Sequence, residues 1–238
     1  FDGSDVVFLG YGVSSVGTVT VTGAGSKIDG GLRIGDNGAG TLTLSNGGVA
    51  EGNGNINIAR FAGSTGTLNI GAASGGAAGG AGTIQGANGA KASLIFGAGT
   101  GKLVFNHTET DYDFDATASG SGTVLQEAGV TSLIGDFSGF TGAGKISGGT
   151  LSVETVFGGS VDVNSGGTLA GTGTTGNIAF NAGSFYQAYI DGNGFITSTG
   201  TATIDAGSQV NVEFGDIANV AIWQPIEILT AATITGEF

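Results

Sequence analysis

The sequence predicts an all-β fold, a parallel β-helix of about ten coils. Three observations carry this reading. A Gly-Thr-apolar cassette recurs along the whole chain. Apolar and polar residues alternate with period two around it. Glycine supplies 51 of the 238 residues, against a single proline.

The cassette opens at Gly17, Gly40, Gly66, Gly82, Gly122, Gly149, Gly167 and Gly200, and Gly101-Lys102 fills the widest gap. The spacings scatter around about 23 residues, within the range of solenoid repeats. A sandwich or barrel would instead place hairpin turns every 8–12 residues or so. Coils stack at about 4.8 Å, so about ten of them make a rod roughly 50 Å long. Each coil buries its faces only against its neighbours, so a cap is expected at each open end.

Around the cassettes, Val19 and Val21 alternate with Thr18, Thr20 and Thr22, and Leu42 and Leu44 with Thr41 and Thr43. Ile56 and Ile58 alternate with Asn55 and Asn57. Period two puts one face of a strand inside and the other in water. Asn46-Gly47-Gly48 and Asn164-Ser165-Gly166-Gly167 have the chemistry of corners. No apolar stripe of helical spacing interrupts the pattern.

Composition removes several classes. Collagen needs glycine at every third position and much proline. A disordered glycine-rich linker would lack the 39% hydrophobic content found here. Asp and Glu outnumber Lys and Arg 19 to 6, a net charge of −13, so nucleic acid and anionic lipid are repelled. There is no cysteine, so no disulfide and no thiol chemistry. No apolar run reaches the roughly 18 residues of a membrane-spanning helix. The chain opens at Phe1 without a leader, which reads as a processed or excised piece.

Catalytic signatures fail one by one. A Ser-His-Asp triad would have to use His107, the single histidine, and the nearest nucleophile-like stretch, Gly135-Asp136-Phe137-Ser138-Gly139, has Phe137 breaking its spacing. His107 reads as a structural or solvated turn residue. Gly171–Gly176 satisfies G-x-G-x-x-G and Gly139–Ile146 approaches a P-loop, but neither leads into a helix, and Ile146 stands where a magnesium-binding hydroxyl belongs. Asp191-Gly192-Asn193-Gly194 falls short of a calcium loop. No catalytic residue, metal ligand or cofactor is assigned, and the chain is read as a non-enzyme.

The most distinctive stretch is His107-Thr-Glu109-Thr-Asp111-Tyr-Asp113-Phe-Asp115. On an extended strand Glu109, Asp111, Asp113 and Asp115 share one face, and Tyr112 and Phe114 the other. Like charges this close repel, so the acidic face wants solvent, a cation or a basic partner surface. Acidic residues on adjacent coils would extend the field.

At these repeats the sequence resembles the passenger domains of bacterial autotransporters (type V secretion). The N-terminal stretch VFLGYGVSSVGTVTVTGAGSKIDGGLRIGDNGAGTLTLSNGGV is similar to their "LxVGxxGxGTLTISNGG" repeat. GKLVFNHTETDYDF and GKISGGTLSV resemble two further family steps, and GSFYQAYIDGNGFITSTGTATIDAGSQVNVEF with WQPIEILTAATITGEF resembles the C-terminal autochaperone region. The resemblance implies a right-handed, pertactin-like β-helix, with a stalk over 1–165 and autochaperone-like, capping coils over 166–238 in one continuous solenoid. It implies that Phe185, Tyr189, Phe214, Trp223, Ile228, Leu229 and Phe238 form the folding core of those coils. It further implies secretion or display on the bacterial surface, export with the help of the protein's own C-terminal β-barrel translocator, and an adhesin or host-receptor-ligand role. A polysaccharide-binding or polysaccharide-cleaving β-helix is the other reading. A groove lined by Asp, Arg and aromatic residues would discriminate the two, and the sequence shows no such cluster.

Overall fold

Each Gly-Thr step brings the chain round a corner and into a strand. In a computed structural model, which describes residues 5–190, 194–215 and 225–238, these strands stack as parallel ladders on the faces of a β-helix. The longest face holds ten successive rungs: Val16–Thr22, Ala39–Ser45, Thr65–Gly71, Thr100–Asn106, Thr123–Ala128, Ala143–Ile146, Ser160–Val163, Ile178–Phe180, Thr197–Ile204 and Thr230–Gly236. A second face runs from Val6–Leu9 through Lys27–Ile34, Asn55–Ile58, Ala92–Phe96 and Ala116–Gly120 to Gly139–Phe140. The third starts at Tyr112–Phe114 and continues through Val130–Leu133, Thr150–Val153, Thr168–Ala170 and Phe185–Ile190 to Gln209–Phe214. A single 3-10 turn, Ala87–Gly89, is the only helical element among the described residues.

Register turns the period-two pattern into a core. Val19 pairs with Leu42, Leu42 with Leu68, Leu68 with Leu103 and Leu103 with Val124, an apolar row running through five coils. Leu42, Leu68, Leu103 and Val124 are fully buried. Each such side chain contributes about 1.5–3 kcal/mol relative to exposure.

The cassettes do not all lie in one row. Gly17, Gly40, Gly66 and Gly101 are in register on the long face, but Gly82 leads into Thr83–Gly86, which stacks on Val49–Gly52, and Gly149 and Gly167 lead onto the third face. The same step serves wherever a corner opens a strand, and coils of unequal length place it on different faces. At Gly40 the reason for glycine is contact. A Cβ there would sit 2.1 Å from the Gly35 nitrogen and 2.5 Å from the Leu9 carbonyl oxygen.

Aromatic rings concentrate in the middle coils. Phe105 meets Phe114 at 4.9 Å, Phe96 meets Phe140 at 5.2 Å, and Phe140 meets Phe157 at 5.1 Å between ring centroids. Phe137 stacks on Phe157 at 5.9 Å. A smaller group at the C-terminal end joins Phe180 to Tyr186 at 5.6 Å, with Phe238 lying over both.

The expected C-terminal core needs correction. Leu229 is buried and Ile228 packs partly against the core. In the strand Phe185–Ile190, however, the inward residues are Tyr186, Ala188 and Ile190, so Phe185 is only half-buried and Tyr189 is exposed. In SFYQAYI both parities carry aromatic residues, and a one-residue change of register exchanges the faces. Phe214 pairs with Ile190 and so has inward parity, yet it is 63% exposed. Its strand is the last of its sheet, and among the described residues no strand pairs on its outer side. Phe238 keeps one ring face on Tyr186. Trp223 lies outside the described residues. Pairing continues across residues 165 and 166, with Leu151 on Leu169 and Val163 on Phe180.

Candidate interaction surfaces

The strand Tyr112–Phe114 pairs with Val130–Leu133 and is the first of the third sheet. Its alternation is as expected for Asp111, Asp113 and Asp115, which are exposed, and for Phe114, which is buried. Tyr112 points inward, and its hydroxyl donates to the Gly82 carbonyl at 2.8 Å. Two features of the acidic strip differ from expectation. Asp115 is ion-paired with Lys91 at 2.6 Å. Asp113 has Ser132 and then Ser152 as its partners on successive coils, so the acidic row does not extend.

Glu109 leaves the strip altogether. It precedes the strand, so strand parity does not govern it. One carboxylate oxygen accepts from the Ala81 N–H at 2.9 Å, and the other faces His107 Nδ1 at 3.3 Å without hydrogen-bond geometry. His107 is fully buried rather than solvated. Its Nε2 is bonded to Thr131 Oγ1 at 2.8 Å, and its ring packs against Tyr112 at 4.9 Å. Burial holds the His107 pKa below its ordinary value, with the Glu109 charge opposing that shift. Together these groups pin the Ala/Gly-rich loop 72–82, helped by Asn106, whose side chain donates to the carbonyls of Ala73 and Gly76. Glu127 accepts from Ser74 and from the Gly75 N–H.

The glycine motifs are strand corners. Thr174–Thr175 lies inside Gly171–Gly176, and Gly139–Phe140 and Ala143–Ile146 fill the P-loop-like stretch, with no helix after either. The Ser138 N–H donates to Asp136 across a local turn at 2.8 Å. No cluster of three or more His, Asp or Glu side chains able to hold a metal ion occurs among the described residues. Of the calcium-like stretch, Asp191 to Asn193 lies outside them.

A second surface escaped the linear reading. On three neighbouring coils, the segments after FLG, RIG and NIA bring Tyr11, Asp36 and Arg60 to one corner. The contacts are continuous. Tyr11 meets Phe8 edge-on at 4.9 Å, and Arg33 lies 4.9 Å over Phe8. Asp36 is buried between Arg33 at 3.8 Å and Arg60 at 3.2 Å, and Arg60 lies 4.6 Å over Phe61. Asn37 donates to the other oxygen of Asp36. Phe8, Tyr11 and Phe61 are exposed. The only signal in the sequence is one-coil recurrence, legible once the register is known.

Fold and surfaces thus define a parallel β-helix that carries side-chain clusters on its flanks. No family model matches the chain, and no solved structure matches it. The chain is similar to the uncharacterized lipoprotein YdeK of Escherichia coli (strain K12), 40% identical over 126 residues, which is 49% of this chain and 9% of that protein. It is also similar to the adhesin BmaC autotransporter of Brucella suis biovar 1 (strain 1330), 36% identical over 107 residues, 40% of this chain and 3% of that protein. The chain therefore spans under a tenth of the length of either relative.

Proposed function

We propose that this chain is a segment of a surface-displayed, autotransporter-type passenger that acts as a non-enzymatic adhesin. The observation that carries the reading is the similarity to an autotransporter adhesin in a chain whose repeats build a parallel β-helix. The lipoprotein relative supports a place at the cell envelope. In this reading the partner is a host cell-surface protein or receptor, the rod is the scaffold, and the coils after residue 166 help folding and export beside the protein's own β-barrel translocator. The burial of His107, with Nε2 taken by Thr131, supports a non-enzymatic role.

The test is binding of the labelled 238-residue chain to cultured host cells. Saturable binding, displaced by unlabelled chain, is expected. Its absence overturns the adhesin reading. Turnover of a protein or polysaccharide that is lost on substitution of Ser138 or His107 overturns the non-enzymatic one.

A further inference from the structure

We propose that the corner formed by Tyr11, Arg33, Asp36, Arg60 and Phe61 is a saccharide-binding site, and that its ligand is a sugar carrying a carboxylate. The inference rests on the adhesin reading and names the surface and ligand class through which it would act.

The donor set selects the ligand. Two of the six basic residues of an acidic chain converge on one buried carboxylate. Asp36 is shared between two guanidinium groups, so the cluster keeps one net positive charge. Its oxygens are engaged by Arg33, Arg60 and Asn37, which makes it an orienting group rather than a free acceptor. A guanidinium carries five N–H donors in a planar fork, and Asp36 meets one nitrogen of each, with a hydrogen bond from Arg60 and an ion pair at 3.8 Å to Arg33. The Arg33 and Arg60 side chains are 28% and 36% exposed. An oriented, partly exposed guanidinium matches a carboxylate bidentately.

The aromatic residues supply what a free anion would not need. Exposed large apolar side chains on a polar surface mark interaction sites. Arg60 covers one face of the exposed Phe61 ring, and Tyr11 joins Arg33 through Phe8, so exposed aromatic surface adjoins both cations, and the Tyr11 hydroxyl adds a polar edge. A pyranose ring has an apolar C–H face and hydroxyl edges, so it can stack on such a ring while its substituents bond to the forks. Beside the cluster lies a shallow open depression of about 340 Å³, lined by Val13–Val16, Asn37–Ala39, Gly63 and Thr65. It shares Asn37 with the cluster and gives a second sugar unit room and backbone partners. Elsewhere the net charge of −13 repels polyanions, so an acidic saccharide is directed to this corner.

The experiment titrates the 238-residue chain with 3′-sialyllactose, trigalacturonate and lactose, read by ligand-observed saturation transfer. Saturable binding of at least one acidic sugar, about ten-fold or more tighter than lactose and weakened by salt, is expected. Which acidic sugar binds identifies the source, a sialylated glycan or a uronate polymer. The Tyr11→Ala/Phe61→Ala and Arg33→Lys/Arg60→Lys variants should each weaken binding about ten-fold, with unchanged circular dichroism. Failure of both acidic sugars to bind, equal binding of lactose, or indifference to both variants overturns the assignment. Cell binding separates the two readings. If the chain binds cells and the aromatic variant binds them equally, this site falls and the adhesin reading stands. If the sugars bind and cells do not, the reverse holds. Cell binding that the variant abolishes but that survives enzymatic removal of acidic sugars overturns the saccharide and points to a protein partner.

Discussion

The coils from Phe96 to Phe157 and the rungs after Gln209 contain similar side chains and treat them differently. In the middle, Phe105, Phe114, Phe137, Phe140 and Phe157 are fully or almost fully buried. At the end, Val212, Phe214 and Ile234 are 44%, 63% and 49% exposed. Inward parity is common to Phe114 and Phe214, so parity is not what separates them. A solenoid residue is buried by the coils on both sides of it, and the last rung has a described neighbour on one side only. Apolar density along the chain therefore locates strands well and the stable core poorly.

The sharpest test substitutes one ring in each region. Phe137→Ala removes a ring stacked on Phe157 and packed against Phe114 and Phe140. A loss of about 3–5 kcal/mol in denaturant unfolding is expected from transfer plus the cavity left behind. Phe214→Ala should cost about 0.5 kcal/mol or less, as at an ordinary surface position. Equal losses would break the comparison. Limited proteolysis gives an independent reading, with the middle coils expected to survive longest.

His107 is one of several buried polar residues of the middle coils, with Asn106, Gln126, Thr131 and Ser152, and pH sharpens its role. His107 is faced by Glu109, Tyr112, Thr131 and Phe105, and burial lowers its folded-state pKa. With the folded pKa below the ordinary value of about 6.5, the unfolded chain takes up a proton first as pH falls. The contribution is thus fully present above that value and is lost between it and the depressed folded pKa. Thermal unfolding followed from pH 7.5 downward should show this slope in the parent chain, and His107→Gln should remove it. Loop 72–82, pinned by Glu109, should gain proteolytic sensitivity over the same window. A slope that survives the substitution would assign it to carboxylates elsewhere.

These two tests also show how far the sequence was legible. Period-two alternation and the Gly-Thr step announce a parallel solenoid, and a spacing of about 23 residues over 238 gives about ten coils. Neither tells which face a cassette enters, because coil length varies: Gly66 and Gly101 are stacked partners, while Gly82 between them opens a different face. Parity was ambiguous at Phe185-Tyr186, where both faces offered an aromatic ring. Glu109 reads as part of the strip only if strand alternation is extended three residues ahead of Tyr112, where the strand begins. The Arg33–Asp36–Arg60 cluster is not legible in the linear chain, because Arg60 joins Arg33 and Asp36 only through stacking.

The smallest expected effect concerns the outer face of the same middle coil. Asp111, Asp113 and Asp115 point to solvent, and the row they begin continues through Ser132 and Ser152. The Lys91–Asp115 pair is exposed, at 63% and 40%, where an ion pair contributes about 0–1 kcal/mol. Replacing all three aspartates with asparagine keeps size and polarity while removing three charges. Stability should change by about 0.5 kcal/mol or less, against the several kcal/mol expected at Phe137. The charges should act instead on encounter, over about 8 Å at physiological salt. Association with a lysine-rich peptide, followed by stopped flow at two ionic strengths, should be slower and less salt-sensitive in the variant, with little change in dissociation. The effect should be modest, since no acidic row on neighbouring coils reinforces it and Lys91 already offsets one charge. An unchanged association rate and salt slope would reduce the strip to a solvated face and leave the Arg-aromatic corner as the recognition surface.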